Sequence, residues 1–151
     1  DEIGTKSLLG EHLYSLRIKN PYDSLNKKGE IPKLKMDGLK VFQFAVSTFP
    51  HILGLINLGE LDDKTYFIPH QANIRIIDQI IQNNGLKHGN VYSDGIKTIG
   101  NTSGASVFFG LHDSLKRNLF DKRQNVVLGA FGAELQIGAA LLSPLESGLI
   151  F

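Results

Sequence analysis

The sequence predicts an α/β domain in which helices are layered on a mixed β-sheet. Three observations predict it. Apolar residues recur at helical spacing in three separate stretches, 37–56, 72–84 and 102–119. Short β-favouring runs stand between them, at 65–68 and near 90–92. Two more such runs, 126–131 and 136–142, follow one another across Gly132, Ala133 and Glu134. The predicted order is therefore helix, strand, helix, strand, helix, strand, strand.

Size and composition bound what the chain can be. Its 151 residues fit one ordinary domain or one half of a larger pseudo-symmetric one. With 42% apolar and 21% charged residues a sizeable core is available. Sixteen basic against 15 acidic side chains leave a net charge of +1, which argues against a bulk electrostatic partner such as duplex nucleic acid. There is no cysteine, so disulfides, thiolate chemistry and cysteine-ligated metals are excluded within these residues. No stretch approaches the roughly 18 apolar residues of a membrane span. The opening residues lack the cationic-then-apolar order of a signal peptide, and the expectation is a soluble, cytoplasmic protein. The chain starts at Asp1 in mid-pattern, which suggests a fragment or a processed product.

Residues 1–36 are weakly patterned, with turn signals at Asn20-Pro21 and Lys27-Lys28-Gly29, and are expected to form an irregular surface segment leading into a domain over 37–151. Lys27, Lys28, Lys33 and Lys35 read as a solvated face. From Asp37, an N-cap, a helix is predicted whose core face is Leu39, Phe42, Val46, Phe49, Leu53 and Ile56. Pro50 should kink or split it. After the strand at 65–68, the helix at 72–84 carries Ile74, Ile76, Ile77, Ile80 and Ile81 on more than one face and must be covered on two sides; Asn83-Asn84-Gly85 closes it. In the helix at 102–119, Phe108, Leu111, Leu115 and Leu119 make one apolar stripe. Ser103, Ser106 and Gly110 make a strip of small residues that should let another helix approach.

Chemistry concentrates at two corners. The first, Phe67-Ile68-Pro69-His70-Gln71-Ala72-Asn73-Ile74-Arg75-Ile76, passes from strand to helix and crowds an imidazole, two amides and a guanidinium together. The carboxyl ends of strands in open α/β sheets are where ligands bind. The second, Ile99-Gly100-Asn101-Thr102-Ser103-Gly104-Ala105-Ser106, places Asn101 before a helix whose N-terminus should point at the same pocket. A neutral imidazole N–H and an asparagine amide are both donors. Two donors converging on one carbonyl oxygen make an oxyanion site, not a nucleophile. His12, His51, His88 and His112 show none of the usual metal-ligand spacings, and no metal site is expected. Ser103 and Ser106 lack the Gly-x-Ser-x-Gly elbow of a hydrolase and read as residues that cap and pack a helix.

These two corners, with Met36-Asp37-Gly38, Val41-Phe42-Gln43-Phe44-Ala45-Val46 and Gly129-Ala130-Phe131-Gly132, make the chain resemble the C-terminal half of β-ketoacyl-(acyl-carrier-protein) synthase III, of the thiolase fold. The resemblance covers nearly all of residues 36–142 in order. It implies the α/β fold of a thiolase-like C-terminal half, and that His70 and Asn101 match the histidine and asparagine of a Cys-His-Asn triad whose cysteine belongs to an N-terminal half. The implied reaction is a decarboxylative Claisen condensation in fatty acid or related polyketide biosynthesis. By the same resemblance, Asn73 lines the pantetheine arm, Arg75 meets the carrier protein or coenzyme A phosphates, Phe131 belongs to the substrate site, and the Ala133 backbone N–H completes an oxyanion hole. The implied partners are acyl carrier protein, acyl-coenzyme A and malonyl thioesters, the N-terminal half, and a second copy in a homodimer when complete. No cofactor is implied beyond coenzyme A or phosphopantetheine thioesters as substrates.

The chain departs from the family pattern at Gly132-Ala133-Glu134-Leu135-Gln136-Ile137-Gly138, where a glycine triplet and a tryptophan are usual. A reshaped acyl pocket or a divergent relative in secondary metabolism follows. The alternative reading is a non-catalytic thiolase-fold module that binds a carrier protein or acyl chains, favoured by the missing cysteine and by Glu134.

Overall fold

The computed structural model describes residues 2–7, 16–17, 35–132 and 135–144. The strands are β1 (Glu2–Ser7), β2 (Leu16–Arg17), β3 (Lys35–Met36), β4 (Thr65–Pro69), β5 (Asn125–Gly132) and β6 (Gln136–Leu142). The helices are α1 (Gly38–Ser47), α2 (Phe49–Leu55), α3 (Ile74–Asn83), α4 (Gly95–Thr98) and α5 (Ala105–Lys116), with a 3-10 turn at His88–Asn90. Four strands form a mixed sheet in the order β1-β6-β5-β4. Strand β4 runs parallel to β5, pairing Phe67 with Val127, and β5 runs antiparallel to β6, pairing Gly132 with Gln136.

Side-chain alternation along the strands builds a core on each face of this sheet. Phe67 and Val127 point to one face, where Ala45, Phe49, Ile52, Leu53 and Ile56 of the α1–α2 region and Ile76, Ile77, Ile80 and Ile81 of α3 cover them. Tyr66, Ile68, Val126 and Leu128 point to the other, where Val107 of α5 packs with Tyr92 and Phe120. All five residues of β4 are buried, as a strand covered on both faces requires. The α/β layering with a mixed sheet is thus as the apolar spacing predicts, and Pro50 does split the first helical run, with Thr48 between α1 and α2. Asp37 is the N-cap, its carboxylate accepting from Lys40 N–H at 3.1 Å.

Five local expectations are corrected. First, β1 pairs with β6, and β2 with β3, inside the stretch expected to be irregular. A short edge strand with one apolar residue in six carries no period-2 signal, and its partner lies at the far end of the sequence. Second, Leu39 lies 67% exposed rather than in the core, at the start of α1, where residues 38–40 are all exposed and burial begins only further along the helix. Third, residues 90–92 form no strand: the 3-10 turn is followed by a single bridge from Val91 to Phe67. Fourth, α3 begins at Ile74 rather than 72, since Asn73 is spent as its cap, and α5 begins at Ala105 rather than 102. Fifth, the small residues of α5 face the sheet of this same chain. A Cβ on Gly110 would stand 2.7 Å from Ile68 Cγ2 and 2.9 Å from Tyr92 Cδ1. Leu111, Leu115 and Leu119 flank that contact, but Phe108 is 69% exposed and Phe109 46%.

Candidate active site

His70 immediately follows β4. Its backbone N–H donates to the Gly129 carbonyl at 2.7 Å, prolonging the parallel ladder by one residue before the chain turns. The Ala72 N–H then donates to the His70 carbonyl at 2.9 Å, closing the turn that leads to α3. The imidazole is half-buried, edge-on to the Phe131 ring with centroids 5.1 Å apart. Its Nδ1 lies 2.5 Å from Ser106 Oγ on α5. Burial lowers the His70 pKa below the usual 6.5, so the ring is neutral at physiological pH.

Gln71 anchors the corner from inside. Its side chain is buried and donates to the Pro69 carbonyl at 2.8 Å and the Tyr92 carbonyl at 3.1 Å, while its Oε1 accepts from Ile96 N–H at 3.2 Å. One amide therefore joins the end of β4, the bridge at Val91-Tyr92 and the start of α4. Tyr92 completes the brace: its ring lies against Gly95 and Gly110, and its hydroxyl donates to Asp113 Oδ2 at 2.9 Å. Arg117 donates to the carboxylates of both Asp113 and Asp94, each at 2.8 Å. Burial first, and then the Asp113 carboxylate, push the Tyr92 phenol well above its ordinary pKa.

Asn101 reaches the same corner from the other side. Its Nδ2 lies 3.4 Å from the Ala72 carbonyl, a long contact, and its Oδ1 accepts from Ser103 N–H at 2.8 Å. Gly100 at φ +92° and Ser103 at φ +56° sit in the left-handed region on either side of it. Glycine takes that conformation freely, and the bond from the Asn101 side chain holds Ser103 there. Neither serine caps α5: the N-cap is Gly104, and Ser106 is buried against His70.

The remaining expected residues fall as follows. Asn73 caps α3, its Oδ1 accepting from Arg75 N–H at 2.9 Å, and both side chains are exposed at that helix start. Phe131 meets the His70 ring edge to face. Ala133 and Glu134 lie outside the described residues. The structure therefore gathers His70, Asn101 and Phe131 around one corner with the exposed start of α3 beside it. Sequence reasoning missed Gln71 and Tyr92 as braces and Ser106 as the imidazole's partner. Those contacts span 21 to 36 residues of chain, and no local spacing announces them. Among the described residues no group of three or more His, Asp or Glu is placed to hold a metal ion. Among them, too, no helix is long and apolar enough to cross a membrane.

Residues 58–143, more than half of the chain, match the family model described as 3-oxoacyl-[acyl-carrier-protein (ACP)] synthase III C terminal. The chain belongs to this family. The β-ketoacyl-[acyl-carrier-protein] synthase III of Clostridium tetani is 39% identical over 129 residues, covering 83% of this chain and 38% of its own length. That of Clostridium novyi is 34% identical over 131 residues, covering 85% and 40%. Among solved structures, the priming β-ketosynthase of the R1128 polyketide pathway superposes with a TM-score of 0.76 at 30% identity, over 93% of this chain and 43% of that one. The synthase III of Thermus thermophilus gives 0.74 at 29%, over 94% and 45%. The chain spans about two-fifths of the length of the curated relatives it matches. Its fold is that of a synthase III C-terminal half, thiolase-like, with a mixed sheet between helices. The match runs from the loop before β4 to just past the end of β6 and so takes in both corners of the site.

Proposed function

We propose that this chain is the enolate-stabilising part of a synthase III-type condensing enzyme. The observation that carries the reading is a neutral imidazole at the carboxyl end of β4, with Asn101 tied to the same turn through the Ala72 carbonyl. In the proposed reaction an acyl group is carried on a cysteine thiolate, which these residues do not contain. A malonyl thioester loses CO2, and the electron pair of the broken C–C bond moves onto the thioester oxygen as an enolate. Hydrogen bonds from His70 and Asn101 to that oxygen oppose the developing charge, each contributing about 2.7–4 kcal/mol as for other oxyanion donors. The enolate carbon then attacks the acyl carbonyl, a C–C bond forms, and the cysteine thiolate leaves. The Asn101 amide carries two hydrogens, so the contact to Ala72 leaves one for substrate.

Phe131 would wall the site beside the imidazole, and the Ala133 N–H would complete the oxyanion hole for the acyl thioester. Asn73 would line the path of the pantetheine arm, and Arg75 would meet the carrier protein or coenzyme phosphates. Acyl carrier protein, acyl-coenzyme A and malonyl thioesters are the partners this reading requires, together with the segment that bears the cysteine.

The test adds that segment and follows the two half-reactions separately. His70→Ala and Asn101→Ala are each expected to depress malonyl decarboxylation by about 100-fold or more, while acyl loading onto the cysteine suffers less. Equal loss in both steps would assign the two residues to structure. The chain by itself should form no acyl adduct on intact-mass analysis with acetyl-coenzyme A; an adduct on Ser103 or Ser106 would overturn the reading. A second reading, a carrier- or acyl-binding module without catalysis, is favoured by the lack of cysteine in these residues. It predicts thioester binding and no decarboxylation in any combination.

A further inference from the structure

We propose that Ser106 is a positioning residue that holds His70 in the tautomer with its proton on Nε2, so that the ring presents a donor, and not a lone pair, away from α5. The inference rests on the reading above for its purpose, and on hydrogen-bond accounting for its substance. Ser106 is 2% exposed, and its Oγ has two neighbours: the Gln71 N–H, which donates to it from 3.1 Å, and His70 Nδ1 at 2.5 Å. A hydroxyl has one hydrogen to give and two lone pairs to receive with. The Gln71 N–H can only donate, so it occupies a lone pair.

Two arrangements remain for Nδ1. If Nδ1 carried the proton, it would fill the second lone pair, and the buried Ser106 hydrogen would have no acceptor among the described residues. Buried polar hydrogens are seldom left in that state. If Nδ1 is bare, the Ser106 hydroxyl donates to it, every group at the contact is satisfied, and the ring proton sits on Nε2. The geometry of one oxygen between an N–H and a ring nitrogen thus selects the tautomer.

The selection is only as firm as the oxygen's position, and the surroundings hold it. The Gln71 backbone cannot drift, because its side chain is bonded at three points to Pro69, Tyr92 and Ile96. Helix α5 cannot withdraw without breaking the close approach at Gly110, where Ile68 and the Tyr92 ring fill the space a side chain would need. Ser106 lies one turn before Gly110 on that helix, so strand and helix meet at fixed separation where the hydroxyl spans them.

The experiment is two-bond proton–nitrogen correlation on the full chain labelled with 15N-histidine, recorded at about pH 8, well above the ordinary imidazole pKa, which burial lowers further for His70. The pattern of a protonated Nε2 and a bare Nδ1 is expected for His70; a dominant protonated Nδ1 overturns the proposal without any variant. Ser106→Ala should shift the pattern towards a mixture, and Ser106→Thr, which keeps the hydroxyl, should restore it. An unchanged spectrum in Ser106→Ala also overturns it. With the cysteine-bearing segment present, Ser106→Ala should lower the decarboxylation kcat on the order of 10-fold, the lower end for removing a partner that orients a histidine, with KM little changed. If His70→Ala leaves decarboxylation intact while the spectrum shows protonated Nε2, the tautomer assignment stands and the catalytic reading falls. The two therefore fail separately.

Discussion

Protonating His70 is harder in the folded chain than in the unfolded one, because burial opposes the charge and lowers its pKa from 6.5. In the interval between the two values the unfolded state binds more protons, so folding stability rises with pH there. The contribution is complete above pH 6.5 and is lost as the pH falls below it. Melting temperature followed from pH 8 to 5 should decline below about 6.5, and His70→Gln, which cannot titrate, should flatten that decline. A profile identical in the variant would mean that the imidazole is solvated. Arg75 makes a different prediction. If it docks the carrier, Arg75→Glu should raise KM for a carrier-linked malonyl thioester and spare kcat, with little effect on a short carrier-free thioester. Equal effects on both substrates would remove it from the docking surface. His70, Asn101, Asn73 and Arg75 stand in two short motifs, so the corner that brings them together was legible in the sequence. Ser106 was read only as a residue that caps and packs a helix, since the histidine it contacts is 36 residues away.

At the scale of elements, α5 shows what periodicity can and cannot say. The spacing of Phe108, Leu111, Leu115 and Leu119 marked one apolar stripe; the three leucines are partly buried against the core, but Phe108 is exposed. Spacing could not tell which neighbour the small-residue strip would meet. The strip was expected to face another helix, and it meets β4 and Tyr92 instead, because those side chains stand high enough from the sheet to need the room. Gly110→Ala tests the fit. The new methyl would collide with Ile68 Cγ2, on a β-branched side chain with little rotamer freedom, and with a tyrosine ring fixed at its far end by Asp113. Neither can give way easily, so the substitution should cost about 1–3 kcal/mol by denaturant titration, and Ile68→Val, which keeps Cγ2, should relieve little of it. Wild-type stability in Gly110→Ala would show that α5 can ride away from the sheet. The first helix divided as foreseen, because proline's missing N–H is a local fact that no tertiary contact can mask.

At the scale of the whole molecule, the outer side of α5 is left uncovered by the described residues. Phe108 and Phe109 of α5 are 69% and 46% exposed. Soluble monomers rarely leave apolar patches larger than about 300–600 Å² uncovered. These 151 residues alone are expected to bind ANS and to self-associate in light scattering, and a cysteine-bearing segment added in trans should suppress both. A monodisperse monomer without ANS signal would make the chain self-sufficient. The α/β class and the longer elements from α1 to β6 were legible from apolar spacing, since each is a local pattern that burial enforces, whereas the strand expected at 90–92 is a turn with a single bridge and α4 carried no signal. Strand β1 was not legible either, because what makes it a strand is a partner at the opposite end of the chain.

That partnership orders the events of folding. In the register of β1 on β6, Glu2 lies opposite Leu141 and Ser7 opposite Gln136, whereas Gly132 of β5 pairs with Gln136 of β6, close by in the chain. The hairpin closes a loop of a few residues, and β1 closes one that contains nearly everything else, with a correspondingly larger loss of chain freedom. The hairpin can exist before β1 arrives, and β1 has nothing to pair with until the hairpin exists. During biosynthesis β1 must therefore wait for β6, which follows it by most of this sequence, and until the two pair the outer edge of β6 is open to any other extended chain that reaches it first.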